Sequence, residues 1–217
     1  MFVGHYAAAL AAKSVEPRAP LWTYVIGCQF LDVGWSALVA AGIERVHVDE
    51  SLAGSHLVLE YMPYTHSLPG SLLWSIGGAL LARVVLRLPW PAAAMIGLTV
   101  FSHWLGDLLV HRPDLELWFG GQKVGLGLWN YPVPEQALEM GLLAAGAAAW
   151  GWANGKAGRG PWGPVLFVVF LLALQIVAMV TPVGGDPITT GATTLGVYLL
   201  AAAMALLADR TPKPQLT

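Results

Sequence analysis

Three residues carry the clearest chemical pattern in the chain: His103, Asp107 and His111, spaced His-x3-Asp-x3-His. On a helix, steps of four keep side chains on one face, so the three project as a single stripe. Imidazole and carboxylate are the ligand types that hold zinc or a similar divalent ion. Glu135 and Glu139 repeat the four-residue step further along, and Asp32, His66 and His5 complete the set. Most of these stand in or beside strongly apolar stretches. An Asp at the centre of a spanning helix costs roughly 2.5–3.5 kcal/mol on insertion scales, so such residues need a partner or a purpose. The competing reading is that Asp107 pairs with a histidine and both are satisfied in a dry interior. His5, in Gly4-His5-Tyr6, also fits a satisfied core residue, and His66, in Tyr64-Thr65-His66-Ser67, fits an interfacial turn with Thr65 or Ser67 as a helix cap. His47 and His56 lie in a polar loop over 44–60 and read as ordinary loop residues. Cys28, the only cysteine, excludes an intrachain disulfide and a thiolate cluster, and reads as a small packing group. The glycine-rich run Gly120–Gly127 lacks the strand context and the Gly-Lys-Ser/Thr ending of a phosphate-binding loop.

The elements that must position these residues follow from composition. The chain has 217 residues, 56% hydrophobic and 11% charged, against about 25% charged in soluble domains. A spanning helix needs roughly 20 mostly apolar residues. Six stretches qualify, at approximately 20–43, 68–88, 90–111, 134–153, 162–182 and 188–208. A shorter apolar helix at about 2–13 cannot cross unaided and is expected to be buried against the others. Pro20, Pro89, Pro91, Pro113, Pro132, Pro134, Pro161, Pro164 and Pro187 fall at the proposed ends. The expected fold is therefore all-α: one polytopic integral membrane domain of about six transmembrane helices plus the short buried N-terminal helix. Its ligand-bearing part covers about 1–140. The first residues lack the basic start of a cleaved signal peptide, so they are expected to be retained.

Short-loop lysines and arginines set orientation. Lys13, Arg18, Arg83, Arg87, Lys156, Arg159, Arg210 and Lys213 fall on one side of a six-span arrangement. That predicts both termini in the cytoplasm of a bacterial-type inner membrane. At about 1.5 Å per residue, His5 lies roughly 12 Å above Lys13, Asp32 roughly 18 Å above Pro20 and His103 roughly 20 Å above Trp90. The other candidates lie higher, so the set converges on the outer half of the bilayer.

The ordered set Gly4-His5, Asp32, Tyr64-Thr65-His66-Ser67 and Ser102-His103-Trp104-Leu105-Gly106-Asp107 resembles the YdjM-like family of predicted membrane-bound metal-dependent hydrolases. The likeness covers about the first 140 residues. This chain has Met62-Pro63-Tyr64 where that family has His-Arg-Gly. The ligand order is also similar to zinc-dependent phospholipase C and the single-strand-specific zinc nucleases. That comparison implies one ion held by Asp32, His66, His103 and Asp107, with Asp107 bridging to another near His5. A further ion would be held by His111, Glu135 and Glu139. Those enzymes also use their amino terminus as a ligand, and close the series with His-x3-Glu where this chain has Glu135-x3-Glu139.

The expected function is a metal-dependent hydrolase of a phosphoester, on a lipid or lipid-linked substrate. Two or three divalent ions, with zinc favoured, would activate water, and Asp32 and Asp107 would be the catalytic carboxylates. The expected partners are the bilayer and that lipid-like substrate, and nothing in the net charge of −2 points to nucleic acid. Two other readings use the same residues: a proton or divalent-metal transporter, and a structural subunit whose polar residues bind a partner.

Overall fold

The computed structural model of the chain describes residues 1–181 and 186–209. Arg210 and Lys213, used above for orientation, and the end of the expected 162–182 span lie outside the described residues. The structure is mostly helical. A 3-10 turn at Val3–His5 leads into α1 (Tyr6–Val15), followed by α2 (Leu21–Cys28) and α3 (Phe30–Ala40). Then come α4 (Leu68–Val84), α5 (Trp90–Val110), α6 (Pro132–Lys156), α7 (Trp162–Val180) and α8 (Pro187–Asp209).

The prolines act as the sequence requires. Each of α4, α5 and α6 has Pro in its first two positions, where a missing N–H costs nothing. Ser67 caps α4, its Oγ accepting from the Gly70 amide at 3.0 Å, which leaves Thr65 free for another task.

Among the described residues, three helices are long and apolar enough to cross a membrane: α5, α7, and α8 from Ile188 onward. A fourth arises if α2 and α3 count as one span bent by 53°. The apolar faces of α4 (Leu73, Ile76, Val84) and α7 (Val169, Ile176, Met179) are exposed. Apolar patches of that extent mark a membrane or partner surface.

Two features differ from the expected architecture. The first span is not continuous, because the backbone leaves the helix at Gln29. The 44–60 segment is not an irregular loop either. β1 (Arg45–Val48) pairs antiparallel with β2 (Leu57–Tyr61), with Val46 opposite Leu59 and a bulge between Arg45 and Val46. A smaller ribbon joins β3 (Leu115–Glu116) to β4 (Lys123–Val124).

Residues of α1, α2, α5, α6, α7 and α8 form the main core, around Tyr6, Tyr24, Ile96, Trp150, Phe167 and Ala205. Helix α8 packs on α2 and α3, α1 on α2 and α6, and α4 on α5. Lys13 ties one end together: its Nζ donates to Asp209 Oδ2 (2.8 Å) and to the Ala19 carbonyl (2.9 Å). Asp209 Oδ2 also accepts from the Leu21 amide at 3.0 Å. The candidate ligands gather away from that end, where α1 and α6 begin and α5 finishes.

Candidate metal centre

Five elements deliver the side chains. The turn before α1 carries His5, and Glu139 of α6 holds that turn by accepting from the amides of Phe2 (2.8 Å) and Gly4 (2.9 Å). Asp32 sits in the first turn of α3, just past the break. His66 immediately precedes the cap of α4. His103 and Asp107 lie on one face of α5. His111 is the first residue past that helix and has extended backbone, so it is not the third rung of a continuous helical stripe. Its ring nonetheless returns to Asp107.

The six residues His5, Asp32, His66, His103, Asp107 and His111 form one cluster. Asp107 Oδ2 lies 3.0 Å from His103 Nε2 and 3.6 Å from His66 Nε2. Asp32 Oδ1 lies 3.3 Å from His66 Nε2 and 3.4 Å from His103 Nε2. The other oxygen of Asp107, Oδ1, faces His5 Nε2 (3.1 Å), His111 Nε2 (3.3 Å) and the Met1 amine (3.2 Å). All but Asp32 of the six are almost fully buried. The His5 and His103 rings stack with centroids 3.7 Å apart. Gly106 makes room for this, since a Cβ there would come within 3.1 Å of the His5 ring.

The far nitrogens explain why the Nε2 atoms converge. His103 Nδ1 is 2.7 Å from the Cys28 carbonyl, which can only accept, so Nδ1 carries the proton. Cys28 ends α2, and its carbonyl is one of those a helix C-terminus leaves unpaired. His111 Nδ1 meets Asp114 Oδ1 at 2.9 Å and likewise donates. His66 Nδ1 meets Thr65 Oγ1 at 2.8 Å, and that hydroxyl gives its own proton to Glu44 Oε2 at 2.7 Å. Burial pushes the Glu44 carboxyl up from its ordinary range, while hydrogen bonds from Thr65 and Tyr64 draw it back.

With Nδ1 donating in three of the four histidines, a neutral ring presents an Nε2 lone pair to a carboxylate oxygen. Two acceptors at 3.0–3.6 Å repel unless a proton or a cation lies between them. A tetrahedral zinc ion with bonds of about 2.0–2.1 Å spaces its ligand atoms ~3.3 Å apart. The four carboxylate–imidazole distances among Asp32 Oδ1, His66 Nε2, His103 Nε2 and Asp107 Oδ2, 3.0–3.6 Å, bracket that value. A histidine that ligates through Nε2 while Nδ1–H is held by a carbonyl or carboxylate is the usual arrangement at metal sites. The buried cluster can therefore hold a metal ion: the ligand atoms of His5, His103 and Asp107, and those of Asp32, His66 and His103, lie within 4.8 Å of one another.

Glu135 and Glu139 stand at the margin. Both oxygens of Glu139 already accept amides, and Glu135 Oε2 accepts from Gln136 Nε2 at 2.8 Å. Both line a cavity of about 870 Å³ that also touches Asp32, His66, Asp107 and His111. Its walls include the β1–β2 hairpin and the facing ends of α7 and α8. His56 of the hairpin lines it too, whereas His47 pairs with Glu60 at the surface.

Sequence reasoning passed over Tyr198 of α8, whose hydroxyl donates to Asp32 Oδ2 at 2.5 Å. A lone phenol in an apolar span was the available signal. The roles of Thr65, Glu44, Asp114 and the Cys28 carbonyl had none, since each depends on tertiary contact. Comparison with protein-family models, curated proteins and solved structures gives no match.

Proposed function

We propose that the chain is a metal-dependent membrane hydrolase that cleaves a phosphoester of a lipid or lipid-linked substrate. The observation that carries this reading is Asp107, whose two oxygens face two separate groups of imidazole Nε2 atoms beside a cavity large enough for a headgroup. The sequence likeness to the YdjM-like hydrolases and the ligand order of zinc phospholipase C support it. Divalent ions held there would lower the pKa of bound water and stabilise charge on a transferring phosphoryl group. The carboxylates of Asp32 and Asp107 supply the negative charge that balances such ions, and the histidines fix their positions. Zinc is favoured by the nitrogen-rich donor set. Two ions suit the geometry better than three, because Glu139 is committed to holding the N-terminal turn. We place the site in the outer half of a bacterial-type inner membrane, with both termini cytoplasmic. In this arrangement α4 and α6 also cross, giving six spans with the bent pair α2–α3 as the first.

The test is metal-loaded protein in detergent against a panel of phosphodiesters and lipid phosphoesters. Cleavage that a chelator stops, and that Asp32→Asn abolishes while helix content is kept, is the expected result. Metal- or proton-driven flux in sealed vesicles with no cleavage of any ester, lost in the same variant, would replace this reading with a transporter.

A further inference from the structure

The last two helices contribute no imidazole or carboxylate to the cluster, yet α8 touches it. Tyr198 is buried, lines the cavity, and its hydroxyl donates to Asp32 Oδ2. Asp32 is thereby divided: Oδ1 faces His66 and His103, and Oδ2 is held by the phenol. The contact depends on a close approach of helices. Gly191 lies two turns earlier on the same face of α8, and a Cβ there would stand 2.5 Å from the Ser36 carbonyl of α3. The backbones of α3 and α8 are thus close enough for a side chain of α8 to reach the first turn of α3.

We propose that Tyr198 is a positioning residue of the metal centre: by holding Asp32 Oδ2 it commits Asp32 to bind an ion through Oδ1 alone. This rests on the metal reading above. A carboxylate without that hydrogen bond can rotate and bind with both oxygens, which raises the coordination number and crowds the position a water needs. Hydrogen-bond partners of ligands alter metal affinity by about 10–100-fold when removed. Helix α8 is then part of the site and not only a hydrophobic anchor.

The experiment compares the full-length protein with Tyr198→Phe, using zinc titration against a competing chelator and the visible absorption of the cobalt-substituted forms. Tyr131→Phe, an exposed tyrosine, is the control. The expected result is about 10–100-fold weaker zinc binding and weaker cobalt bands, as the ion gains a ligand, with the control unchanged. In an Asp32→Asn background the Tyr198→Phe effect should largely vanish, because the hydroxyl acts through Asp32. Wild-type protein that binds neither zinc nor cobalt overturns the metal reading itself. Metal binding and cobalt spectra identical in wild type and Tyr198→Phe overturn this inference alone. Loss of helix content in metal-free Tyr198→Phe would also overturn it, since a positioning hydroxyl is dispensable to the fold.

Discussion

Each histidine of the cluster other than His5 is aimed by an acceptor behind it, and the three acceptors differ in kind. His103 uses a helix-end carbonyl, His111 a carboxylate, and His66 a hydroxyl backed by a carboxylate. The Thr65 arrangement is the most exposed to a single change, because its hydroxyl both accepts from His66 and donates to Glu44. Thr65→Val keeps the shape and removes both bonds. Zinc binding should weaken by about 10–100-fold, measured by chelator competition. An unchanged affinity would mean that His66 does not ligate. Metal uptake should also fall on acidification, since imidazole must shed its proton to bind.

At the scale of elements, the site depends on two interruptions. The break at Gln29 ends α2 early enough for the Cys28 carbonyl to reach His103, and it starts α3 so that Asp32 falls in its first turn. The second is the turn ahead of α1, where Glu139 accepts two amides and so fixes the approach of His5. Glu139→Gln would set an amide NH2 against one of those N–H groups. A buried donor left unpaired costs about 1–3 kcal/mol. The variant should unfold correspondingly earlier in a denaturant titration in detergent, and it should bind metal less tightly because His5 is no longer held. Full stability in Glu139→Gln would assign the glutamate to the metal and not to the turn.

For the molecule as a whole, Lys13, Arg83 and Lys156 lie toward one end and the site toward the other, where Arg45, Arg112 and Lys123 belong to the hairpin and its neighbouring loops. Lys13 and Asp209 join the ends of α1 and α8 at one end. Arg83 lies over the Trp90 ring, and Lys156 over Trp152. Each is a cation beside an indole ring, the pairing that the proposed cytoplasmic interface calls for. The hairpin and the cavity belong to the opposite end. Cys28 is buried, so single cysteines can be introduced against a quiet background. Glu50→Cys should react with an impermeant maleimide added outside intact cells, and Ala157→Cys only after permeabilisation. Reaction of position 157 from outside would invert the proposed topology.

The apolar stretches, the prolines that bound them and the polar residues out of place within them were all readable from the chain, because each is a local property. A four-residue step puts His103 and Asp107 on one face whatever surrounds them, and an acid such as Asp32 in an apolar stretch signals a partner before the partner is known. The same logic misjudged the first span as unbroken and His111 as helical. Neither is a local property: Gln29 lies where the helix ladder is interrupted, and His111 leaves the helix ahead of the turn that brings Asp114 to its ring. Only the tertiary structure decided how Asp107 divides its two oxygens, that Glu139 serves amides, and that Tyr198 reaches Asp32 from 166 residues away. Such contacts follow from how closely helix backbones approach, as at Gly191, and a hydrogen bond between distant positions leaves no periodicity in the sequence to read.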